Sequence, residues 1–365
     1  MDLRDAVALS LLPVISSGIS RTRLATTFRR VTQAGGGTCA SALAALTPGG
    51  AAARPAVAEL LAAAERALSA AAAAKLIPVV CGQAGYPPAL ATLVDPPIVL
   101  WVCGEVTALG RPAVAIVGSR AASPYAKEVA SRLAEGLARW GVVVVSGLAR
   151  GVDSAAHRGA LETGDTVAVL GSGADVIYPA EHGGLAADIV RRGAMVSELP
   201  PGTPPRPHHF PLRNRIISGL SLAIVVVEAS ERSGSLITAA CGLEQGRDVM
   251  AVPGNVLTGR NRGAHALLRD GAKIVETVDD ILEELPGFCR LTKTGEDGGG
   301  LAPAAGDRAE ILACFSPGEP CDLDEIAGRT GFDAGRILSF LVELEVDGLV
   351  RRGDGGWFVR SGRTC

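Results

Sequence analysis

The sequence predicts an α/β protein whose central domain is a doubly wound parallel sheet with helices on both faces. Short runs of valine, isoleucine, leucine and alanine recur from Pro112 to about residue 252, and helix-length segments separate them. These runs lack polar alternation, so we expect both faces of each strand to be buried. Regular alternation of strands with helices indicates crossover connections and therefore a Rossmann-like arrangement.

The apolar runs and the composition between them divide the chain into domains. The predicted strands are Val114–Val117, Val142–Val145, Val167–Leu170, Met195–Val196, Ala223–Val227 and Val249–Val252. They lie in a core domain, 111–286, which follows a small helical domain, 1–75, and a Pro-rich connector, 76–110, expected to pack on the core. A Gly- and Pro-rich segment, 287–306, predicts a linker. Residues 307–365 read as three short helices and two strands around a glycine turn, the order of a winged helix-turn-helix.

Composition limits the class of protein. Of 365 residues, 48% are hydrophobic and 20% charged, which is enough apolar material for a core and excludes a disordered chain. No apolar run is long enough for a membrane span, and Asp2, Arg4 and Asp5 stand where a signal peptide would begin, so we expect a cytoplasmic protein. The eight cysteines have no metal-binding spacing. Because the net charge is only −3, any nucleic-acid binding requires a local basic patch.

The turns that follow the predicted strands share a phosphate-binding character. In an open parallel sheet, ligands bind beyond the carboxyl ends of the strands. The turns there contain Gly118-Ser119-Arg120, Ser146-Gly147 with Arg150, Gly171-Ser172-Gly173, and Ser233-Gly234-Ser235. Glycine lets the backbone approach a ligand, helix N-termini attract anions, and serine and arginine add hydrogen bonds and charge. One such turn is most often only a tight turn, but four at one sheet edge predict an anion site.

A basic segment precedes the fifth predicted strand. No acidic residue occurs between Leu199 and Val227, whereas Arg206, Arg213 and Arg215 are present. Arginines for the backbone and Phe210 for stacking on a base would suit a nucleic-acid strand. The alternative is that Arg213 and Arg215 pair with carboxylates of the core, and both descriptions can hold together.

The absence of two nucleotide-binding motifs argues against catalysis, and so does the lack of a nucleophile beside Asp153 and His157. No GxGxxG follows the first strand and no GxxxxGK[ST] occurs, which disfavours a dinucleotide coenzyme and an ATP-driven motor. Asp153 and His157 are at helical spacing, but no nucleophile with a partnered base can be named beside them. We therefore predict no enzyme activity, no cofactor and no metal.

Five ordered motifs carry a family resemblance. They are Ala115–Arg120, Ser146–His157, Phe210–Ile217, Ser233–Ala239 and Ala251–Gly254. Together they resemble the DNA-processing protein A family, DprA, also called Smf. The resemblance implies a Rossmann-like core that binds and protects single-stranded DNA, forms homodimers, and helps to load the RecA recombinase in natural transformation. It also implies that the N-terminal helices form a domain like the sterile alpha motif.

The resemblance assigns DNA contacts residue by residue. These contacts fall on Ser119, Arg120, the Gly147 turn, Phe210, Asn214, Arg215, Ser233 and Gly234, with Lys273 at the end of the groove. The predicted single-stranded DNA site also includes Gly118, Ser146, Arg150 and Arg213. We expect Arg120→Ala and Arg215→Ala each to weaken DNA binding and to leave the fold intact.

The predicted winged helix is acidic. Residues 307–365 carry eleven acidic side chains and seven arginines, and the third predicted helix, Asp333–Glu345, has Arg336 as its only basic residue. Such a field opposes DNA. We therefore predict a protein-interaction or regulatory role for this domain, with Arg351 and Arg352 as its only plausible phosphate contacts.

Two other functions stay open. An enzyme acting on nucleoside monophosphates, similar to phosphoribohydrolases of the cytokinin-activating type, would use comparable phosphate turns. Those enzymes are marked by a Pro-Gly-Gly-x-Gly-Thr turn, and this chain has Ser233–Thr238 instead. A winged-helix transcription regulator with a ligand-sensing core is disfavoured by the acidic third helix.

Overall fold

In the computed structural model the chain forms two units, and each unit is described by itself. The first unit is Met1–Arg290 and the second is Leu291–Cys365. The structure describes residues 1–12, 20–33, 37–46, 57–285, 307–315, 321–333, 337–338, 340–341, 344–345, 349–352 and 357–360. The predicted linker, 287–306, and Arg336 lie outside the described residues.

Within the described residues, the first unit is built on one sheet of nine strands. The strands are β1 Ile77–Val80, β2 Val99–Gly104, β3 Ala113–Val117, β4 Val143–Ser146, β5 Thr166–Val169, β6 Ala194–Ser197, β7 Ala223–Val226, β8 Asp248–Ala251 and β9 Lys273–Ile274. Their order is β1-β2-β6-β5-β4-β3-β7-β8-β9, antiparallel at the β1–β2 and β2–β6 pairs and parallel elsewhere. The prediction of a doubly wound parallel sheet is confirmed.

The segment predicted as a connector, 76–110, is part of this sheet. Its strands β1 and β2 form an antiparallel pair, and β2 extends the sheet by pairing with the edge strand β6. Trp101, at the centre of β2, is fully buried. The segment therefore completes the sheet edge and covers apolar surface, which is more than the packing expected from its sequence.

Helices cover both faces of the sheet. In the first unit they are α1 Leu3–Ser10, α2 Arg21–Gln33, α3 Cys39–Leu46, α4 Val57–Ala73, α5 Pro88–Ala91, α6 Pro124–Arg139, α7 Val152–Thr163, α8 Gly183–Arg192, α9 His209–Leu220, α10 Ser235–Glu244, α11 Arg262–Arg269 and α12 Val278–Leu282. Alternate residues of β3 enter opposite cores, because side chains of a strand alternate between its faces. Val114 and Ile116 pack with α6 and α7, whereas Ala115 and Val117 share the core that contains Ile216 of α9.

The N-terminal helices join the same core. Leu9, Phe28 and Leu60, from α1, α2 and α4, are buried in the cluster that includes β1, β2 and α9. Arg29 adds two hydrogen bonds of 2.7 Å to the backbone oxygens of Ala91 and Leu93. Among the described helices, none has the length and apolar character needed to cross a membrane.

The second unit has its own apolar core. Its described elements are α13 Asp307–Ala313, α14 Leu323–Thr330, helical residues between 337 and 345, and the antiparallel pair β10 Val350–Arg352 and β11 Phe358–Arg360. Asp322 and Glu325 form a capping box at the start of α14, and Gly331 ends it in the left-handed conformation. Ile326 of α14 and Phe358 of β11 are buried in the apolar core of this unit. The predicted winged helix is confirmed.

The strand order fixes where a ligand can enter. From β3 the chain proceeds through β4, β5 and β6 on one side of the sheet, and β7, β8 and β9 lie on the other side. The connections leave the carboxyl ends of β3 and β7 in opposite directions, which opens a crevice at this switch point.

Candidate functional site

A pocket of about 640 Å³ opens at the switch point between β3 and β7. Its walls come from the turns after β3, β4 and β7 and from the first turns of α9 and α10. Of the predicted site residues, the pocket is lined by Gly118, Ser119, Arg120, Phe210, Arg213, Asn214, Ser233 and Gly234. The structure therefore brings most of the predicted set to one concave surface.

The loop after β3, which lines the pocket, is bound to the loop after β7. The backbone N–H of Ser119 donates to the carbonyl oxygen of Glu228 at 2.7 Å. Ser123 caps α6 and donates its hydroxyl to Glu228 Oε2 at 2.6 Å. A Cβ atom at Gly118 would lie 2.6 Å from Val152 Cγ2, so only glycine fits there. The Glu228 carboxylate is thus occupied in holding the loops together.

Arg213 is a buried cation in the wall of the pocket. Only 7% of the residue is exposed, and its Nη2 donates to the carbonyl oxygen of Gly147 at 3.1 Å. Among the described residues, Nε and Nη1 have no hydrogen-bond partner. Burial lowers the pKa of Arg213 to about 10, while the charge of Asp153 opposes that shift, so the guanidinium stays charged at neutral pH. A desolvated cation with unused donors attracts an anion strongly.

The turn after β4 is shaped around this guanidinium. A Cβ atom at Gly147 would lie 1.6 Å from Arg213 Nη1, so a side chain there would displace the cation. Asp153, buried beneath the turn, accepts hydrogen bonds from the backbone N–H groups of Gly147 and Ala149 at 3.2 and 3.4 Å. Gly151 has a φ of +81°, which favours glycine. The turn therefore positions Arg213 without offering it a close ion pair.

Arg120, Phe210 and Tyr178 form a row of flat side chains at the mouth. The Arg120 guanidinium carbon lies 5.2 Å from the centre of the Phe210 ring, which is cation–π distance. The rings of Phe210 and Tyr178 are 5.7 Å apart with a tilt of 45°. Arg120 is exposed and makes no ion pair within the described part of the chain. Its charge is therefore available to a ligand.

The amino end of α10 forms the opposite wall. Gly234 is its N-cap, and a Cβ atom there would meet nothing within 4 Å, so the helix end is open. The hydroxyls of Ser233 and Ser235 lie 2.7 Å apart, and Asn214 Nδ2 donates to the Gly234 carbonyl oxygen at 3.4 Å. The helix dipole and the hydroxyls add to the attraction for an anion.

Arg215 does not line the pocket, which corrects the sequence-based assignment. It is 8% exposed and points to the other side of α9. There, Nη2 lies 2.5 Å from Glu198 Oε1, and Nε lies 3.4 Å from Asp95 Oδ2. Arg215 therefore forms the ion pair with core carboxylates that was the alternative to DNA contact. Arg213, by contrast, lines the pocket.

Ser146 and Lys273 also lie outside the pocket. Ser146 is fully buried and donates to the carbonyl oxygen of Ile116 at 2.7 Å, so its hydroxyl joins β4 to β3. Lys273 Nζ contacts Glu284 Oε1 at 2.7 Å and Glu283 Oε2 at 3.3 Å. Both side chains are explained by local structure.

Gly147 and Arg150 line a small cleft beside the pocket. This cleft shares Arg120, Phe210 and Arg213 with the larger pocket. Arg150 is exposed and bound to the carboxylate of Glu181, with Nη2 2.9 Å from Oε2. An incoming anion would have to compete with Glu181 for this cation.

Tyr178 and Thr238 are pocket residues that the sequence motifs did not indicate. Both line the pocket, Tyr178 from the turn after β5 and Thr238 from the first turn of α10. Tyr178 could have been noticed as the aromatic residue closest after the Gly171-Ser172-Gly173 turn. Within the described residues, no group of three His, Cys, Asp or Glu side chains is arranged to hold a metal ion.

Fold and site together define a protein of the doubly wound α/β class, with a cationic, aromatic-edged pocket at its switch point. The chain belongs to the family of DNA recombination-mediator protein A, whose model matches residues 78–286. Residues 299–356 match the DprA winged helix domain. The family predicted from the sequence motifs is confirmed.

Relatives support this membership. Protein Smf of Escherichia coli K12 is 42% identical over 286 residues, which are 77% of this chain and 76% of that protein. The X-ray structure of DNA processing protein A from Streptococcus pneumoniae has a TM-score of 0.59 and 33% identity, covering 78% of this chain and 95% of that one. DNA processing protein A from Helicobacter pylori, whose solved structure concerns its single-stranded DNA binding mode, has a TM-score of 0.52 and 29% identity over 57% of this chain and 95% of its own.

Proposed function

We propose that this protein binds single-stranded DNA in the switch-point pocket without a catalytic step. The observation that carries the proposal is Arg213, a buried guanidinium with two nitrogens that lack partners within the described residues. A phosphate in the pocket would interact with the charge of Arg213, and Arg120 at the mouth would contact a neighbouring phosphate. Binding by the related Helicobacter pylori protein supports this choice of ligand.

The pocket favours an unpaired strand. Its aromatic edge, Phe210 and Tyr178, can contact bases only when they are turned out of a duplex. Backbone contacts and stacking do not read base edges, so binding should be largely independent of sequence. The resulting complex would protect the bound strand.

Family membership supports the wider role. We propose that the protein acts as a cytoplasmic homodimer that loads RecA recombinase onto single-stranded DNA during natural transformation. The helical region 1–75 would be the sterile-alpha-motif-like domain, 76–110 the connector whose two strands extend the core sheet, 111–286 the DNA-binding core, 287–306 the linker and 307–365 an acidic winged helix that contacts other proteins. Deletion of residues 300–365 should change oligonucleotide affinity less than tenfold.

A nucleoside-monophosphate hydrolase is the less favoured alternative. Glu228, a carboxylate beside the turn after β3, is 5% exposed and accepts hydrogen bonds from Ser123. Its role in joining two loops accounts for it without catalysis. Incubation with AMP should release no free adenine, and release in proportion to protein concentration would favour the enzyme.

The proposal is tested by equilibrium binding of a labelled oligothymidylate and of a labelled duplex at two salt concentrations. We expect the single strand to bind more tightly and to lose affinity steeply as salt rises. Equal or stronger binding of the duplex would contradict the proposed function.

A further inference from the structure

Tyr178 presents an open aromatic face at the edge of the pocket. It follows β5 in the turn before the short helical turn Ala180–His182, and 44% of the residue is exposed. It lines both the pocket and the small cleft beside it. An aromatic ring exposed beside cationic side chains suits a flat ligand.

Phe210 is the more enclosed of the two rings. Arg120 lies over it at 5.2 Å, and a Cβ atom at Gly171 would be 2.9 Å from Phe210 Cδ1, so the ring edge rests against the turn after β5. Tyr178 lies beside it at 5.7 Å and has the freer surface. The row Arg120–Phe210–Tyr178 therefore ends in an exposed aromatic ring.

We infer that Tyr178 stacks on one nucleobase of the bound strand, beside the base that contacts Phe210. This inference rests on the proposed function, because it concerns the same pocket and the same ligand. It assigns base contact to a residue that the sequence motifs did not indicate. The phosphates on either side of that base would then run past Arg120 and Arg150, which line the cleft shared with Tyr178.

The ring geometry has a consequence for the bound strand. Neighbouring bases in a helical stack are parallel and about 3.4 Å apart along the strand. The two rings are tilted by 45° and separated by 5.7 Å. Two neighbouring bases that each stack on one of these rings cannot remain stacked on each other. A duplex cannot provide such a pair without melting, so the two rings select an unpaired strand.

The test compares an oligothymidylate with a strand of the same length that lacks bases. Tyr178→Ala should bind the oligothymidylate about fivefold to hundredfold more weakly, which is the usual effect of losing one base–aromatic stack. Tyr178→Phe, which keeps the ring, should stay within about twofold of the unchanged protein. On the abasic strand all three proteins should bind equally, because only phosphates remain.

A double variant tests whether Tyr178 and Phe210 contact one shared base or one base each. If each ring contacts its own base, the double variant with Tyr178→Ala and Phe210→Ala should bind more weakly than either single variant. Thermal unfolding of each variant controls for the fold. The inference is overturned if Tyr178→Ala binds the oligothymidylate normally, or if its loss persists on the abasic strand. Failure of the unchanged protein to bind either strand would instead overturn the proposed function.

Discussion

Arg213 and Arg215 lie two residues apart on α9 and leave the helix on opposite sides. Arg213 reaches the carbonyl oxygen of Gly147 in the pocket wall, whereas Arg215 binds Glu198 and Asp95 behind the helix. A step of two residues turns a helical side chain by about 200°. One basic segment therefore supplies a ligand-facing cation and a structural one.

The first prediction separates these two roles. Arg215→Ala removes the cation that binds Glu198 and Asp95, so the free energy of unfolding should fall by about 2 kcal/mol, less than for a fully buried pair because both carboxylates are partly exposed. The affinity of the folded variant for single-stranded DNA should be unchanged. Urea unfolding and titration of an oligothymidylate measure the two effects. A tenfold loss of affinity at full folding would show that Arg215 contacts DNA.

The second prediction concerns the turn that holds Arg213. Gly147→Ala places a methyl group at the position of the guanidinium, so Arg213 must move. Loss of a charge-assisted contact predicts about tenfold weaker binding of single-stranded DNA. Gly110→Ala is the matched control, since a Cβ atom there meets nothing within 4 Å. Equal affinities of the two variants would exclude Arg213 from binding.

The sheet was predictable because its strands are buried on both faces. Continuous apolar runs such as Val142–Val145 depend only on local burial, and the observed strand β4, Val143–Ser146, differs by one residue at each end. The pairing of β2 with β6 was not predictable, because it joins segments about ninety residues apart through a shared edge.

The site was predictable where chain position alone determines it. Loops that follow β3 and β7 meet at the switch point, and Arg120 and Gly234 from these loops line the same pocket, as their positions after the strands predict. The side of α9 on which the Arg215 side chain lies depends on its position around the helix and on its ion pair with Glu198, which follows β6. Motif order carries no information about that direction.

A third prediction concerns Glu181, which binds Arg150 at the edge of the cleft. Glu181→Gln removes a competitor for this cation and a negative charge from the path of the phosphates. Affinity for single-stranded DNA should rise about twofold to fivefold, as expected for an exposed ion pair, and the gain should shrink at high salt. The same substitution in an Arg150→Ala background should have a smaller effect. An unchanged affinity would place the strand away from Arg150.

A fourth prediction concerns the pH dependence of stability. His157 is fully buried, and Thr166 Oγ1, which donates to the Val144 carbonyl oxygen, can only accept from His157 Nδ1 at 2.7 Å. Nδ1 therefore carries a proton, and because burial lowers the pKa of His157 to about 3, the ring is neutral at neutral pH. Below pH 6.5 His157 binds a proton in the unfolded chain but stays unprotonated in the folded chain. Stability should fall as pH drops from 6.5 toward 3, by up to about 1.4 kcal/mol per pH unit from this group.

The control is His157→Phe, which removes the titrating ring and keeps an aromatic side chain. Its free energy of unfolding, measured by urea at several pH values between 7.5 and 4, should fall less steeply than that of the unchanged protein. Parallel curves for the two proteins would mean that His157 takes up its proton normally in the folded state.

The central claim is that Arg120 and Arg213 bind the phosphates of an unpaired strand at the switch point. The most direct measurement is the slope of log affinity against log salt for an oligothymidylate. For Arg120→Ala the slope should be shallower by about 0.7, the value of one lost phosphate contact on a single strand. The control Arg139→Ala removes an exposed arginine from the far end of α6 and should keep the original slope. Identical slopes for all three proteins would contradict the account.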